Sequence, residues 1–304
     1  MIHIFIINAF AGQQTFADDL RIKLSSYKDL DYFVFNTRYE GYESELVRKI
    51  LNLFEGEKLR FYCCGGSGTM RHMLNGFDDL SNVEVAFYPC GLTNDFLKVF
   101  GKNEERFHNI DELINGDVID IDYIKTEYGV ALNTLSTGLD SNCQTKMNEF
   151  RVLRFISDMI PYSLAVIYSL FVSKTREYEV KLDNDTHSGY FSEIYFGNGH
   201  VLGGNIFFAD NACATDGLGI TRISTIKKRG FPLAMLLLNL MKKKFAKASK
   251  KMIFGLSKTI EIKSKDGKPF TINQDGELIH GVTSCKGQMV KQGLHFVVPK
   301  GVRQ

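Results

Sequence analysis

The chain has 304 residues, enough for two domains of ordinary size, and 44% of them are hydrophobic, which allows a sizeable core and excludes global disorder. A net charge of +2 argues against wholesale nucleic-acid binding. Six cysteines, at 63, 64, 90, 143, 213 and 285, show no repeated spacing and read as buried free thiols in a reducing cytoplasm, not as zinc ligands or disulfides.

The opening residues, Met1-Ile2-His3-Ile4-Phe5-Ile6-Ile7-Asn8, are apolar but short, with no basic flank and no small-residue cleavage site. They predict a buried first strand, not a secretion signal. Strand patterns recur at 32–35, 59–64 and 83–88, with helical patterns at 17–24 and 42–54 between them. Alternating strands and helices predict a parallel sheet covered on both faces, with ligands bound beyond the carboxyl ends of the strands. Three polar or glycine-rich turns fall there, after Asn8, Cys64 and Tyr88. The second, Gly65-Gly66-Ser67-Gly68-Thr69, stands before a short predicted helix over 70–76. Such a turn lets backbone N–H groups approach a phosphate at the positive end of a helix dipole. Cys63 and Cys64, adjacent in the preceding strand, point to opposite faces.

From about residue 117 strand patterns dominate, at 118–124, 130–134, 177–182, 190–196, 219–226, 252–262 and 294–298, several of them alternating apolar and polar. That predicts a β-rich second domain with antiparallel strands, interrupted by helical stretches over 150–172 and 231–250. No stretch is long and apolar enough for a membrane span; 164–172 comes closest and is followed by Lys174. Any membrane contact is expected to be peripheral. Lys227-Lys228-Arg229 and Lys242-Lys243-Lys244 flank an apolar helix candidate over 231–241. An anionic bilayer surface and a core-facing helix with a solvated basic end explain this pattern about equally. The stretch beginning at 151–156 and continuing to Tyr168 fits either an acyl-chain groove or plain core.

Further short motifs follow the glycine turn. They are Pro89-Cys90-Gly91-Leu92-Thr93-Asn94-Asp95, Phe196-Gly197-Asn198-Gly199, Gly203-Gly204, Ala212-Cys213-Ala214-Thr215-Asp216-Gly217-Leu218 and Gln274-Asp275-Gly276-Glu277. Thr93 is expected to cap a helix with Asn94 and Asp95 in its first turn. Asp-Gly between strands is also a common hairpin signal, so Asp275-Gly276 and Asp216-Gly217 each have a plain turn reading. In order and spacing the set resembles the diacylglycerol kinase catalytic family, in its bacterial lipid kinase branch, over nearly the whole chain.

The resemblance implies an N-terminal parallel α/β nucleotide-binding domain (residues 1–122), of the NAD-kinase and diacylglycerol-kinase kind, and a C-terminal antiparallel β-sandwich domain (residues 123–304) whose last residues return toward the first. It implies ATP-dependent phosphorylation of a lipid hydroxyl in the cleft between domains, and so a place in phospholipid metabolism. The phosphates and nucleotide would be held by Gly65, Gly66, Ser67, Gly68, Thr69, Met70 and Arg71, with Thr37, Leu92, Thr93, Asn94 and Asp95 nearby. Asp275 and Glu277 match the motif that carries the family's general base; the sequence favours Glu277 without deciding between them. A structural Mg²⁺, distinct from the one that travels with ATP, would be held by the Asp216 side chain and the carbonyls of Cys213 and Leu218. The implied partners are ATP, a lipid and a peripheral bilayer contact at the inner membrane face of a cytoplasmic protein. A homodimer is expected to be compatible with its β-domain edges.

Three positions depart from the family pattern. Ser67 stands where the family has an acidic residue, so a neutral hydroxyl replaces a hard metal ligand. Leu92 replaces a threonine and Ala9 a proline. An alternative reading is therefore a weakened homologue that binds nucleotide or lipid. NAD kinase ranks lower, because Asn133 is not followed by the glutamate of that family; Gly138-Leu139-Asp140 follows the lipid-kinase pattern instead.

Overall fold

A computed structural model describes residues 1–8, 16–91, 94–150 and 159–303. The chain divides into two compact units, Met1–Tyr123 with Lys291–Gln304, and Ile124–Val290.

In the first unit β1 (Ile2–Ile7), α1 (Phe16–Leu24), β2 (Tyr32–Asn36), α2 (Tyr42–Leu53), β3 (Leu59–Gly65), α3 (Ser67–Leu74) and β4 (Glu84–Pro89) follow one another. The strands lie parallel in the order β2-β1-β3-β4. Every residue of β1 and β3 is buried, as parallel strands covered on both faces require. Phe5 stacks on Tyr62 with ring centroids 4.2 Å apart. Helix α2 buries Tyr42, Glu43, Leu46, Val47 and Ile50, a helical period. The chain just beyond α3 approaches α2 so closely that a Cβ on Gly76 would lie 2.7 Å from the Val47 side chain. After β4, 3-10 turns over Asp95–His108, kinked at Gly101, lead to α4 (Ile110–Ile114). Phe96, Phe100 and Phe107 surround Phe296, which returns from the end of the chain beside β4.

Next come β5 (Asp117–Thr126), β6 (Gly129–Ala131), β7 (Thr134–Gly138), α5 (Leu139–Phe150), α6 (Met159–Val172), β8 (Arg176–Leu182), β9 (Asp185–Phe191) and β10 (Glu193–Gly197). They are followed by β11 (Val201–Leu202), β12 (Ile206–Phe207), β13 (Gly219–Ser224), α7 (Phe231–Met241), α8 (Phe245–Ala248) and β14 (Met252–Ser257). The chain closes with β15 (Thr259–Ser264), β16 (Phe270–Gln274), β17 (Glu277–Val282) and β18 (Ser284–Val298). In the second unit β14-β13-β10-β7-β16-β17 form an antiparallel sheet. The first part of β18 runs antiparallel with β15, and β15 with β8 and β8 with β9. Leu135, Ile194, Phe196 and Ile272 from the first sheet meet Val180, Ile260 and Ile262 from the second strand group in one core, which makes the unit a β-sandwich. Strand period 2 sends Tyr195, between Ile194 and Phe196, to the opposite face, where it joins Leu233, Leu236 and Leu240 of α7.

The structure corrects several expectations. The stretch 252–262 is two strands in different sheets, broken at Lys258, where the main-chain N–H groups of Lys258 and Thr259 donate to the Asp183 carboxylate at 3.0 and 2.8 Å. No glycine or proline marks that corner, because its fastening is supplied from another strand end. The 231–250 stretch is a helix ending at Met241, followed by shorter turns. The 130–134 strand is two, Gly129–Ala131 and Thr134–Gly138. Within 150–172 the described helix is Met159–Val172, and 151–158 lie outside the described residues. Cys63, Cys64, Cys143 and Cys285 are buried free thiols, but Cys90 is only half-buried and Cys213 is exposed.

Candidate functional site

The first residues beyond the four parallel strands are linked to one another across the strands' carboxyl ends. The Asn8 N–H donates to the Cys64 carbonyl at 2.9 Å, the Thr37 N–H to the Ile7 carbonyl at 3.0 Å, and the Cys90 N–H to the Gly65 carbonyl at 2.8 Å. The Asn8 side-chain amide donates to Thr69 Oγ1 at 2.9 Å. The turns after β3 and β4 touch through glycines: a Cβ on Gly91 would lie 2.8 Å from Gly66 Cα, and one on Gly65 2.6 Å from Thr69 Oγ1. No Cβ fits at either close approach, so glycine is required at both.

Helix α3 begins at Ser67, three residues earlier than the sequence predicted, with Gly66 as its N-cap in extended conformation. Its first internal hydrogen bond is from the Met70 N–H to the Gly66 carbonyl at 3.0 Å. The N–H groups of the preceding turn have no partner inside the helix and lie at its positive end. A Cβ on Gly68 would meet nothing within 4 Å, so open space adjoins these donors. Main-chain donors, a helix terminus and open space fit a phosphate group. Ser67 is the first helical residue and half-buried, Thr69 and Arg71 are buried, and Thr37 is 5% exposed. Met70 is 1% exposed and its N–H is used inside the helix. Asn94 precedes the 3-10 turns in a left-handed conformation (φ 38°), not within their first turn as expected. Its amide donates to the Gly91 carbonyl at 3.0 Å, and its Oδ1 is buried without a hydrogen-bond partner among the described residues. Asp95 is buried. Leu92 and Thr93 lie outside the described residues.

In the second unit Asp275 and Gly276 are the central pair of the β16–β17 hairpin, with φ of 51° and 92°. Two successive positive φ values are the signature of a tight primed turn, which explains Asp-Gly here. The Asp275 carboxylate accepts from three successive main-chain N–H groups: Leu132 at 2.6 Å, Asn133 at 3.1 Å and Thr134 at 2.8 Å. The segment that donates them is pinned in turn by Asn198, whose amide donates to the Leu132 carbonyl at 3.1 Å and whose N–H donates to the Asn133 carbonyl at 2.8 Å. Asp275 is 6% exposed, whereas Glu277, two residues on at the start of β17, is half-buried.

A second carboxylate supports the same hairpin. The Gly276 N–H donates to Asn273 Oδ1 at 2.9 Å, and the Asn273 amide donates to Asp140 Oδ2 at 2.7 Å. The Ser136 hydroxyl donates to the same oxygen at 2.5 Å. Burial pushes the Asp140 carboxyl up, and the hydrogen bonds from Ser136 and Asn273 oppose that rise. The Asp140 N–H donates to Glu193 Oε2 at 2.9 Å. Burial, reinforced by the Asp140 charge, lifts Glu193 well above the usual carboxylate range. Sequence reasoning had Gly138-Leu139-Asp140 as a pattern without assigning Asp140 a task; Asn273, Ser136 and Glu193 left no signal of their own.

The expected cation residues share one turn. Asp216 Oδ1 accepts from the Leu218 N–H at 2.8 Å, and Asp216 and Cys213 are exposed. Among the described residues no three His, Cys, Asp or Glu side chains converge. One carboxylate plus main-chain carbonyls is an oxygen donor set of the kind a hard cation takes, so the turn fits Mg²⁺ but not a thiol-seeking metal. The Cys213 sulfur lies 3.3 Å from Thr215 Oγ1.

Residues 3–126 match the family model described as diacylglycerol kinase catalytic domain, and residues 133–297 match the one described as YegS C-terminal NAD kinase beta sandwich-like domain. The chain is 35% identical over 101 residues to "Putative lipid kinase YtlR" of Bacillus subtilis (strain 168), 32% of each chain. It is 27% identical over 161 residues to "Putative lipid kinase" of Staphylococcus carnosus (strain TM300), 52% of this chain and 51% of the other. The chain thus spans a third to a half of the length of these curated relatives. Two solved structures from Bacillus anthracis str. Sterne share the fold. One, titled as a putative diacylglycerol kinase, superposes with TM-score 0.75 at 20% identity, covering 99% of this chain and 96% of the other. One titled as a diacylglycerol kinase gives 0.70 at 17%, covering 99% and 98%.

Proposed function

We propose that this chain, which belongs to the family joining a diacylglycerol kinase catalytic domain to a YegS C-terminal NAD kinase beta sandwich-like domain, phosphorylates a lipid hydroxyl with ATP. The observation that carries the reading is the corner at the N-terminus of α3, where Gly66 and Gly91 approach too closely to admit a Cβ. Phosphoryl transfer needs mostly positioning and charge stabilisation, which such a corner supplies through main-chain donors. The turns carrying Asn8, Thr37 and Asn94 would fix the rest of the nucleotide, with the Asn94 Oδ1 ready for a donor. Mg²⁺ carried by ATP would neutralise phosphate charge; Asp216 with the Cys213 and Leu218 carbonyls would hold a separate, structural ion.

The second unit would supply the base. Asp275 is occupied by three main-chain donors, so its task is to fix the hairpin. Glu277 is then the carboxylate assigned to take the proton of the lipid hydroxyl. The family's description supports a diacylglycerol-type acceptor as the first to try. A second reading, a nucleotide- or lipid-binding homologue of low activity, draws on Ser67: the first residue of α3 offers a hydroxyl and no charge.

The test is transfer of label from ATP, with Mg²⁺, to a panel of lipid hydroxyls. Labelled lipid, lost in Glu277→Ala, is expected. No labelled lipid, with wild type and Glu277→Ala indistinguishable, rejects the kinase reading. ATP binding without turnover, together with a large gain in Ser67→Asp, would favour the second reading.

A further inference from the structure

Helices α6 and α7 are the most apolar in the described chain, yet each leaves one side uncovered. On α6, Ala165, Ser169 and Leu170 are buried, while Leu164, Ile167, Tyr168 and Phe171 are exposed. On α7, Leu233, Leu236 and Leu240 enter the core and Phe231, Met235 and Leu238 are exposed, a stripe at i, i+4 and i+7. An ordinary surface helix reverses this chemistry, turning charged residues outward. The two helices meet at a fixed joint: the Gly230 N–H donates to the Leu170 carbonyl at 2.7 Å, and a Cβ on Gly230 would lie 3.2 Å from the Phe171 ring. Phe171, 63% exposed, and Phe231, 76% exposed, both belong to the residues at that joint.

Basic residues border the stripe at the helix ends. Lys174 follows α6, Lys228 and Arg229 precede α7, and Lys242 and Lys244 follow it, all exposed. None of these five makes an ion pair with another described residue. No helix among the described residues is long and apolar enough to cross a membrane, and the 14 residues of α6 span only about 21 Å. An apolar stripe edged by cations, too short to span, suits a surface that is anionic outside and hydrocarbon beneath.

We propose that the outer faces of α6 and α7 dock this protein on an anionic lipid bilayer, with Phe171 and Phe231 inserted and the five basic residues against the headgroups. This deepens the lipid-kinase reading by naming the surface through which a lipid layer is met, and rests on that reading only for its purpose. Charge complementarity favours a bilayer over a second copy of the chain, since two copies of the same face would oppose their own lysine borders.

The test is co-sedimentation of the intact chain with vesicles of phosphatidylcholine alone or with phosphatidylglycerol added. Binding is expected to need phosphatidylglycerol and to weaken at high salt. Phe171→Ser with Phe231→Ser should lower vesicle binding at least tenfold. Lys228→Gln, Arg229→Gln, Lys242→Gln and Lys244→Gln together should abolish the preference for phosphatidylglycerol. Both sets change exposed residues, and unaltered circular dichroism verifies folding. If wild type does not sediment with phosphatidylglycerol vesicles, or if the two serine substitutions bind as wild type, the proposal is overturned. It is also overturned if those substitutions leave vesicle binding intact and dissolve a dimer seen by gel filtration. ATP-dependent transfer to a short-chain soluble acceptor, without vesicles, should be unchanged by the serine substitutions. Absence of that transfer in wild type would count against the kinase reading and leave the docking result standing.

Discussion

Asp275 and Glu277 lie two residues apart in one hairpin, but their surroundings differ, and the proposed function gives them different roles. Three main-chain N–H groups converge on the Asp275 carboxylate, and removing it would leave them buried together without their acceptor. Asp275→Ala is therefore expected to destabilise the second unit by about 3 kcal/mol, read as a lower midpoint in urea unfolding. Glu277→Gln is expected to abolish lipid phosphorylation while leaving that midpoint within about 0.5 kcal/mol of wild type. Equal stability losses in the two variants would dissolve this division of roles. Asp140 acts one step further back, through Asn273, on the Gly276 N–H. Asp140→Asn should lower kcat by about 10- to 100-fold through displacement of the hairpin, with KM for ATP unchanged because the turns proposed to hold the nucleotide belong to the first unit. A rise in KM for ATP with kcat intact would contradict that positioning role.

At the scale of elements, the corner between β3, α3 and β4 depends on glycine for space. Gly91 has an ordinary backbone, yet its missing Cβ lets Gly66 approach. Gly91→Ala is expected to part the two turns and weaken ATP binding at least tenfold by calorimetry, with the far-ultraviolet spectrum unchanged. Gly68→Ala would put a Cβ into the open space assigned to the phosphate and should weaken ATP binding as well; undiminished binding in Gly91→Ala would mean that the close approach does not govern the site. This corner was legible in the sequence because parallel strands leave long apolar runs and glycine turns leave composition. The DGE hairpin was legible for the same reason: φ above zero at two adjacent positions demands residues such as Asp-Gly. What was not legible is fastened from a distance. The β14–β15 corner is held by Asp183, and the segment before β7 by Asn198 and Asp275, contacts with no local pattern. The start of α3 was placed late because Gly66-Ser67-Gly68 are poor helix formers; the helix is held by the burial of Met70, Met73 and Leu74 instead.

Across the whole molecule the two units carry buried titratable groups of opposite sign. His3 in the first unit is buried, with its Nδ1 2.7 Å from the Tyr62 hydroxyl, and burial together with the Arg60 charge lowers it from 6.5 to about 4. Between those values the unfolded chain binds a proton that the folded unit does not. The stability due to neutral His3 is thus complete above pH 6.5 and is lost as pH falls toward 4. Glu193 in the second unit runs the other way. Its folded form holds a proton well above the usual carboxylate range, so the stability due to its neutral state is complete below about pH 4.5 and is lost as pH rises. Acid should therefore loosen the first unit while the Glu193 contribution to the second is retained. Native-state hydrogen exchange separates the two, because amides of β1 and β3 report one unit and amides of β7 and β10 the other. From pH 7 to 5, protection corrected for intrinsic exchange is expected to fall in β1 and β3 and to hold or rise in β7 and β10. His3→Gln should flatten the first trend alone, since glutamine does not titrate there, and Glu193→Gln the second alone. A common pH profile in both units, unchanged by either substitution, would show that neither buried group governs the acid response.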